Sequence, residues 1–237
     1  MLYIYLNMNN IPKILWINLD KDIERKKYIE DLFNKYNLKN KRIVGFNGND
    51  YNNFCILNKK NINIGEIGCF CSHLKALEYF ITSVKDNYCL IAEDDISFEY
   101  LKYWKKNFWD YINEIKEFDI IQLSQIYSFN KIRKYKIKYE DIKVINHERN
   151  FYGCGCYLIT KKGAKKIIDS IPKIDNKYDL RNIKQIIIDS YIYENLNSYT
   201  IPLFTTNTDF ISNIHQDHIK RIHIPSKEII TNLWKIK

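Results

Sequence analysis

Three consecutive carboxylates, Glu93-Asp94-Asp95, are the sharpest chemical feature of this 237-residue chain. They follow the apolar run Tyr88–Ala92 (YCLIA), which reads as a short buried strand. Carboxylates this close repel one another, so seating them at the end of a buried strand is costly unless a cation compensates. Oxygen donors suit Mn²⁺ or Mg²⁺, and such an ion bridges naturally to a diphosphate. In an α/β sheet, ligands gather just beyond the carboxyl ends of the strands, which is where this triplet falls. The triplet also reads as a solvated turn capping the next helix, and alone it does not separate the two readings.

Other chemistry-bearing residues are less specific. Gly153-Cys154-Gly155 lacks the third glycine of a dinucleotide fingerprint, and no Gly-Lys-Ser/Thr occurs for a P-loop. Ser72-His73 suggests a nucleophile and a base, but adjacent helix positions point about 100° apart, which disfavours a hydrolase pair. His215 and His218 lie three apart; His215 is a candidate metal ligand, against the reading of two exposed histidines. The six cysteines are Cys55, Cys69, Cys71, Cys89, Cys154 and Cys156, and their two Cys-x-Cys pairs invite a zinc reading. On a helix over 66–81, Cys69 and Cys71 face opposite sides and share no metal easily. On a strand, Cys154 and Cys156 face one side but supply only two ligands. The expectation is thiols that act as small buried hydrophobes in a reducing compartment.

The elements that must position these residues follow from periodicity. Pro12–Leu19 reads as a buried strand, Asp22–Tyr36 as a helix with apolar spacing of three and four capped by Asp20 or Asp22, and Lys41–Phe46 as a second strand. Strand, helix, strand predicts a parallel βαβ unit. Further helices are predicted over Gly65–Val84, Leu101–Ile115, Lys161–Ile171 and Leu180–Leu196, and strands over Asp119–Leu123, Phe151–Thr160 and Tyr199–Thr205. Segment 128–150 is basic, rich in tyrosine and irregular, and reads as a long loop or hairpin. The alternation predicts a mixed α/β architecture in a single domain over 1–237.

The length supports one sizeable core, and 46% hydrophobic residues is ordinary for a globular chain. Lysine and arginine (37) exceed the acidic residues (28) by 9, which favours anionic partners, although lysines spread along the chain also read as a solvated surface. No stretch is apolar enough to cross a bilayer, and Met1–Asn10 lacks a basic leader and a cleavage site. The expectation is a soluble cytoplasmic protein, with a place at a membrane surface, or in host cytoplasm if viral, as the variants of it.

Several of these residues together resemble glycosyltransferase family 25, which includes lipopolysaccharide (lipooligosaccharide) glycosyltransferases and procollagen galactosyltransferases. Ile17-Asn18-Leu19-Asp20 with Arg25 looks like the family's N-terminal signature. Gly65-Glu66-Ile67-Gly68-Cys69 followed by Ser72-His73 resembles its central motif, and Leu90–Asp95 its metal and donor motif. Tyr157-Leu158-Ile159-Thr160 with Gly163-Ala164, and then Ile188-Asp189, are similar to its later motifs. Their order and spacing extend from about Ile14 to Ile214. The resemblance implies an A-type glycosyltransferase (GT-A) fold, Rossmann-like with a mixed sheet flanked by helices. It also implies a UDP-galactose or UDP-glucose donor, Mn²⁺ (or Mg²⁺), inversion at the anomeric carbon, and a glycan or protein acceptor as in lipopolysaccharide biosynthesis. It would put Asn18, Leu19 and Arg25 near the nucleotide, Gly48 near the base or ribose, and Ser72, His73, Glu93 and Asp94 in the donor site. Asp95, Glu93 and His215 are the metal candidates, and Asp189 is the candidate base.

Two features depart from the family pattern. Ala92 stands where a bulky aliphatic residue is usual, and segment 128–150 matches none of its motifs, which makes it the candidate for acceptor choice. Rival readings are a nucleic-acid-binding module built on the basic stretch Tyr127–Tyr139, which leaves the carboxylates unexplained, and an inactive glycosyltransferase-like scaffold. The resemblance favours a metal-dependent hexosyltransferase without a nucleic-acid partner; the sequence sets no oligomeric state.

Overall fold

A computed structural model describes residues 8, 10–58, 63–127, 142–148, 151–210, 214 and 217–235. Its strands are β1 (Ile14–Asn18), β2 (Asn40–Val44), β3 (Cys55–Ile56), β4 (Tyr88–Glu93), β5 (Ile96–Ser97), β6 (Ile120–Ser124), β7 (Ile126–Tyr127), β8 (Ile145–Asn146), β9 (Phe151–Tyr152), β10 (Cys156–Thr160), β11 (Lys173–Ile174), β12 (Lys177–Asp179) and β13 (Ser198–Thr206). Its α-helices are α1 (Ile23–Lys35), α2 (Ile64–Ser83), α3 (Phe108–Ile112), α4 (Lys161–Asp169), α5 (Ile188–Glu194) and α6 (Ile224–Lys235).

Among the described residues the main sheet has eight strands in the order β2-β1-β4-β10-β6-β13-β5, with β8 paired to β13. β1 lies parallel to β2 and β4, and β6 parallel to β13. β10 is antiparallel to both of its neighbours, β4 and β6. The result is a mixed Rossmann-like sheet flanked by helices, as expected, and β1-α1-β2 is the predicted parallel unit. One consequence governs the site. The carboxyl ends of β1 and β4 meet the amino end of β10 on a single sheet edge.

Strand alternation sorts the core into two layers. Leu15, Ile17, Cys89, Ile91, Tyr157 and Ile159 face a cluster shared with α2, α4 and α5. Ile14, Trp16, Leu90, Ala92, Cys156 and Leu158 face a second cluster with α1, α3 and α6. Ala92 is register-paired with Trp16, so a small side chain sits beside the bulkiest one on that face. α2 forms because Ile67, Phe70, Cys71, Leu74, Leu77 and Phe80 repeat at helical spacing, and Asn63 caps it by accepting from Gly65 N at 2.8 Å.

Three predicted elements are broken. Leu101–Ile115 is not one helix, because Trp104 turns extended to donate its indole N–H to Leu203 O at 3.2 Å, and Asn107 starts α3 by accepting from Asp110 N. Phe151–Thr160 splits into β9 and β10 at Gly153, whose φ of 100° no strand tolerates. Of Leu180–Leu196 only α5 is helical. Ile186 and Ile188 are buried while Ile187 between them is exposed, a period of two that marks extended chain. No helix among the described residues is long and apolar enough to cross a membrane.

Candidate functional site

The Glu93-Asp94-Asp95 triplet leaves the end of β4 and divides. Glu93 keeps the strand's alternation and points to the face covered by α2. Asp94 and Asp95 enter the turn and meet Arg25, which projects from the first turn of α1. Arg25 Nε lies 2.8 Å from Asp94 Oδ1, and Nη2 lies 2.7 Å from Asp95 Oδ2. The cation demanded by packed carboxylates is therefore supplied by the protein itself. Asn18, at the end of β1 and 1% exposed, donates from Nδ2 to Asp94 Oδ2 at 2.7 Å, while its own Oδ1 accepts from Arg42 Nε at 2.9 Å. Phe210 covers the guanidinium at 5.5 Å.

Burial sets the electrostatics. It pushes Asp94 up to about 6 and Asp95 to about 7, outweighing the attraction of Arg25. Asp95 Oδ1 is buried without a hydrogen-bond partner.

On the other face a second group of side chains converges. Cys69 and His73 are one helical turn apart on α2, so they share a side. His73 Nε2 lies 3.3 Å from Glu93 Oε1, and His73 Nδ1 lies 3.0 Å from Tyr157 Oη on β10. Cys154 Sγ lies 3.2 Å and Cys69 Sγ 3.8 Å from Glu93 Oε1. Burial alone would raise Glu93, but the hydrogen bond and charge of His73 hold it down at about 2. Burial alone would lower His73, but Cys69 and Glu93 lift it to about 9.

The nine sequence-predicted residues Asn18, Leu19, Arg25, Gly48, Ser72, His73, Glu93, Asp94 and Asp95 all line one cleft, with Lys21, Asp22 and the start of α2. Several of them also hold the walls in place. The Ser72 hydroxyl donates to Gly68 O at 2.6 Å and accepts from Phe46 N at 2.8 Å, so it ties the 46–48 loop to α2. Asp189 does not line the cleft. Its Oδ2 accepts from Gly153 N at 2.8 Å and its Oδ1 from Ser190 N at 2.7 Å, and burial raises its pKa. His215 and residues 128–141 and 149–150 lie outside the described residues.

The cysteine reading needs correction. Cys69 and Cys71 do face apart, Cys71 Sγ meeting Cys55 Sγ at 3.5 Å. Cys154 and Cys156, however, do not share a face, because the chain turns between β9 and β10 and sends them into different core layers. The group Cys69, His73, Glu93 and Cys154 was missed. Half of it was legible in the i, i+4 spacing of Cys69 and His73; Cys154 arrives only through the antiparallel insertion of β10.

The profile of glycosyltransferase family 25 (LPS biosynthesis protein) matches residues 11–182, which takes in both halves of this cleft. The chain belongs to glycosyltransferase family 25. A Glycosyltransferase 25 family member from Aedes aegypti is 30% identical over 115 residues, 48% of this chain and 18% of that protein. This family 25 chain thus spans less than a fifth of that relative's length. Among solved structures, A197 from STIV is 13% identical with a TM-score of 0.43, the match covering 82% of this chain and 83% of that one. HddC from Yersinia pseudotuberculosis is 15% identical with a TM-score of 0.38, over 99% of this chain and 84% of that one.

Proposed function

We propose that this family 25 glycosyltransferase moves a hexose, galactose or glucose, from a UDP-sugar to a hydroxyl of a glycan or protein, with inversion at the anomeric carbon. The observation that carries the reading is the cleft at the carboxyl ends of β1 and β4, where Asn18, Arg25, Asp94 and Asp95 converge within one hydrogen-bonded group. Ligands of α/β sheets bind at such an edge.

The Mn²⁺ of this reading fits the residues present. Asp95 Oδ1 is a hard oxygen donor, buried and without a partner. Asp95 would hold the ion, with Arg25 and Asn18 fixing the orientation of the turn. When bound, the ion would neutralise charge on the departing diphosphate. Glu93 is engaged by His73 and Cys154 and is the poorer ligand for it. Asp189 enters as a positioning residue, because its carboxylate anchors the Gly153 turn.

The test is a donor screen that follows Mn²⁺-dependent UDP release from each nucleotide sugar, without and with candidate acceptors. Release from UDP-galactose or UDP-glucose is expected; no release from any nucleotide sugar would end the reading. Asp95→Asn should weaken Mn²⁺-dependent UDP binding at least about tenfold, roughly 1.4 kcal/mol, in calorimetry. Asp189→Asn should lower the melting temperature with a modest effect on turnover. A loss on the order of 10²–10⁴ in turnover, with unchanged melting and UDP affinity, would instead make Asp189 the base.

A further inference from the structure

We infer that Cys69, His73, Glu93 and Cys154 form a second metal site, one that takes a thiophilic divalent ion of the zinc class and stands apart from the oxygen donors at Asp95. The four ligand atoms, two thiols, one imidazole nitrogen and one carboxylate oxygen, all lie within 4.8 Å of one another. Bond lengths of about 2.0–2.3 Å put the corners of a tetrahedral zinc site roughly 3.3–3.8 Å apart. The contacts to Glu93 Oε1, at 3.2, 3.3 and 3.8 Å, fall close to that spacing.

The surroundings have the form of an outer shell. His73 presents Nε2 to the group while Nδ1 faces Tyr157 Oη at 3.0 Å, the kind of second contact that fixes the tautomer of a ligating histidine. Cys154 is aimed by a turn pinned from three directions. Asp189 accepts from Gly153 N, Gln122 Nε2 donates to Tyr152 O and Gly153 O, and Tyr193 Oη donates to Gly153 O. The ligands also come from three separate elements, α2, β4 and the turn before β10, so an ion there would tie α2 to the sheet edge it covers. Two soft sulfur donors select zinc over manganese. Four protein ligands leave no open position, which marks a structural rather than a catalytic ion. On binding, the two thiol protons and the proton on His73 Nε2 leave to solvent, two thiolates, the neutral imidazole and the Glu93 carboxylate meet the dication, and no electrons are transferred.

The test uses the full chain purified without added chelator and needs no sugar donor, so its outcome is independent of the proposed transfer. Elemental analysis should find one zinc per chain. Cobalt substituted for it should give a thiolate-to-cobalt charge-transfer band in the near ultraviolet, which excess Mn²⁺ does not remove and Asp95→Asn does not alter. Cys154→Ala should lower the band, because one thiolate remains, and weaken zinc binding, measured against a chromophoric chelator, on the order of a hundredfold or more. Should that variant not fold by circular dichroism, Glu93→Gln gives the second reading, a shifted cobalt spectrum with weakened binding. Absence of the band at stoichiometric cobalt, its undiminished intensity in Cys154→Ala, or a Cys69–Cys154 disulfide in the reducing-agent-free protein would each overturn the site.

Discussion

Arg25→Leu is expected to destabilise the fold by about 3–5 kcal/mol at neutral to alkaline pH, a large part of the stability of a typical domain. The guanidinium stands between two carboxylates, and the three side chains are only 12%, 8% and 16% exposed. Leucine leaves Asp94 and Asp95 buried with their mutual repulsion uncompensated. The pH dependence tests that cause. Burial already holds Asp94 at about 6 and Asp95 at about 7 against the pull of Arg25, so removing Arg25 raises both further. A carboxyl whose folded pKa is raised is favourable while protonated, and its contribution is lost as pH rises through the folded value. The variant should therefore lie close to the wild type near about pH 5 and fall away progressively above it. Urea unfolding of both proteins at acid and alkaline pH, with a chelator present, reads this directly. A loss that is the same at every pH would assign Arg25's role to packing against Phe210 rather than to charge.

Much of this site could be read before the fold was known. The resemblance to family 25 put Asn18, Arg25 and the carboxylate triplet at one donor site, and they line one cleft because motifs at the ends of neighbouring strands converge. Two kinds of information were not local. The first is the division of the triplet: alternation along β4 sends Glu93 to α2, but that Arg25 waits on the other side depends on how α1 docks. The second is the arrival of Cys154. A strand period over Phe151–Thr160 predicts two cysteines on one face, and only the positive φ of Gly153 and the antiparallel seat of β10 overturn it. The shortening of the helix predicted over Leu180–Leu196 to α5 has a plainer cause. Ile186-Ile187-Ile188 suits either period, and burial of alternate residues decides for the extended one.

Gly48→Ala is expected to cost both stability and nucleotide affinity, and two other glycines serve as its controls. A Cβ on Gly48 would stand 1.8 Å from Ile64 O and 2.6 Å from Ile64 C, which are backbone atoms at the start of α2. Gly68 approaches from the other side, where a Cβ would lie 2.8 Å from Phe46 O. The 46–48 loop and the first turns of α2 thus meet backbone to backbone, and no side-chain rotation relieves an added methyl. The loop must move away by about an ångström, and overpacking of this kind costs about 1–3 kcal/mol. The same loop forms one wall of the cleft, and a displacement of about 1 Å at a reacting site can lower turnover on the order of a hundredfold. Gly163→Ala meets Asp119 O at 2.7 Å, and neither residue lines the cleft, so it should lose comparable stability while UDP affinity stays at the wild-type level. Gly45→Ala meets only side-chain atoms, at 3.2 Å and beyond, and should be the mildest of the three. Thermal melting and UDP calorimetry on all three variants give the ordering. If Gly48→Ala binds UDP as tightly as Gly163→Ala does, the 46–48 wall is not part of the nucleotide site.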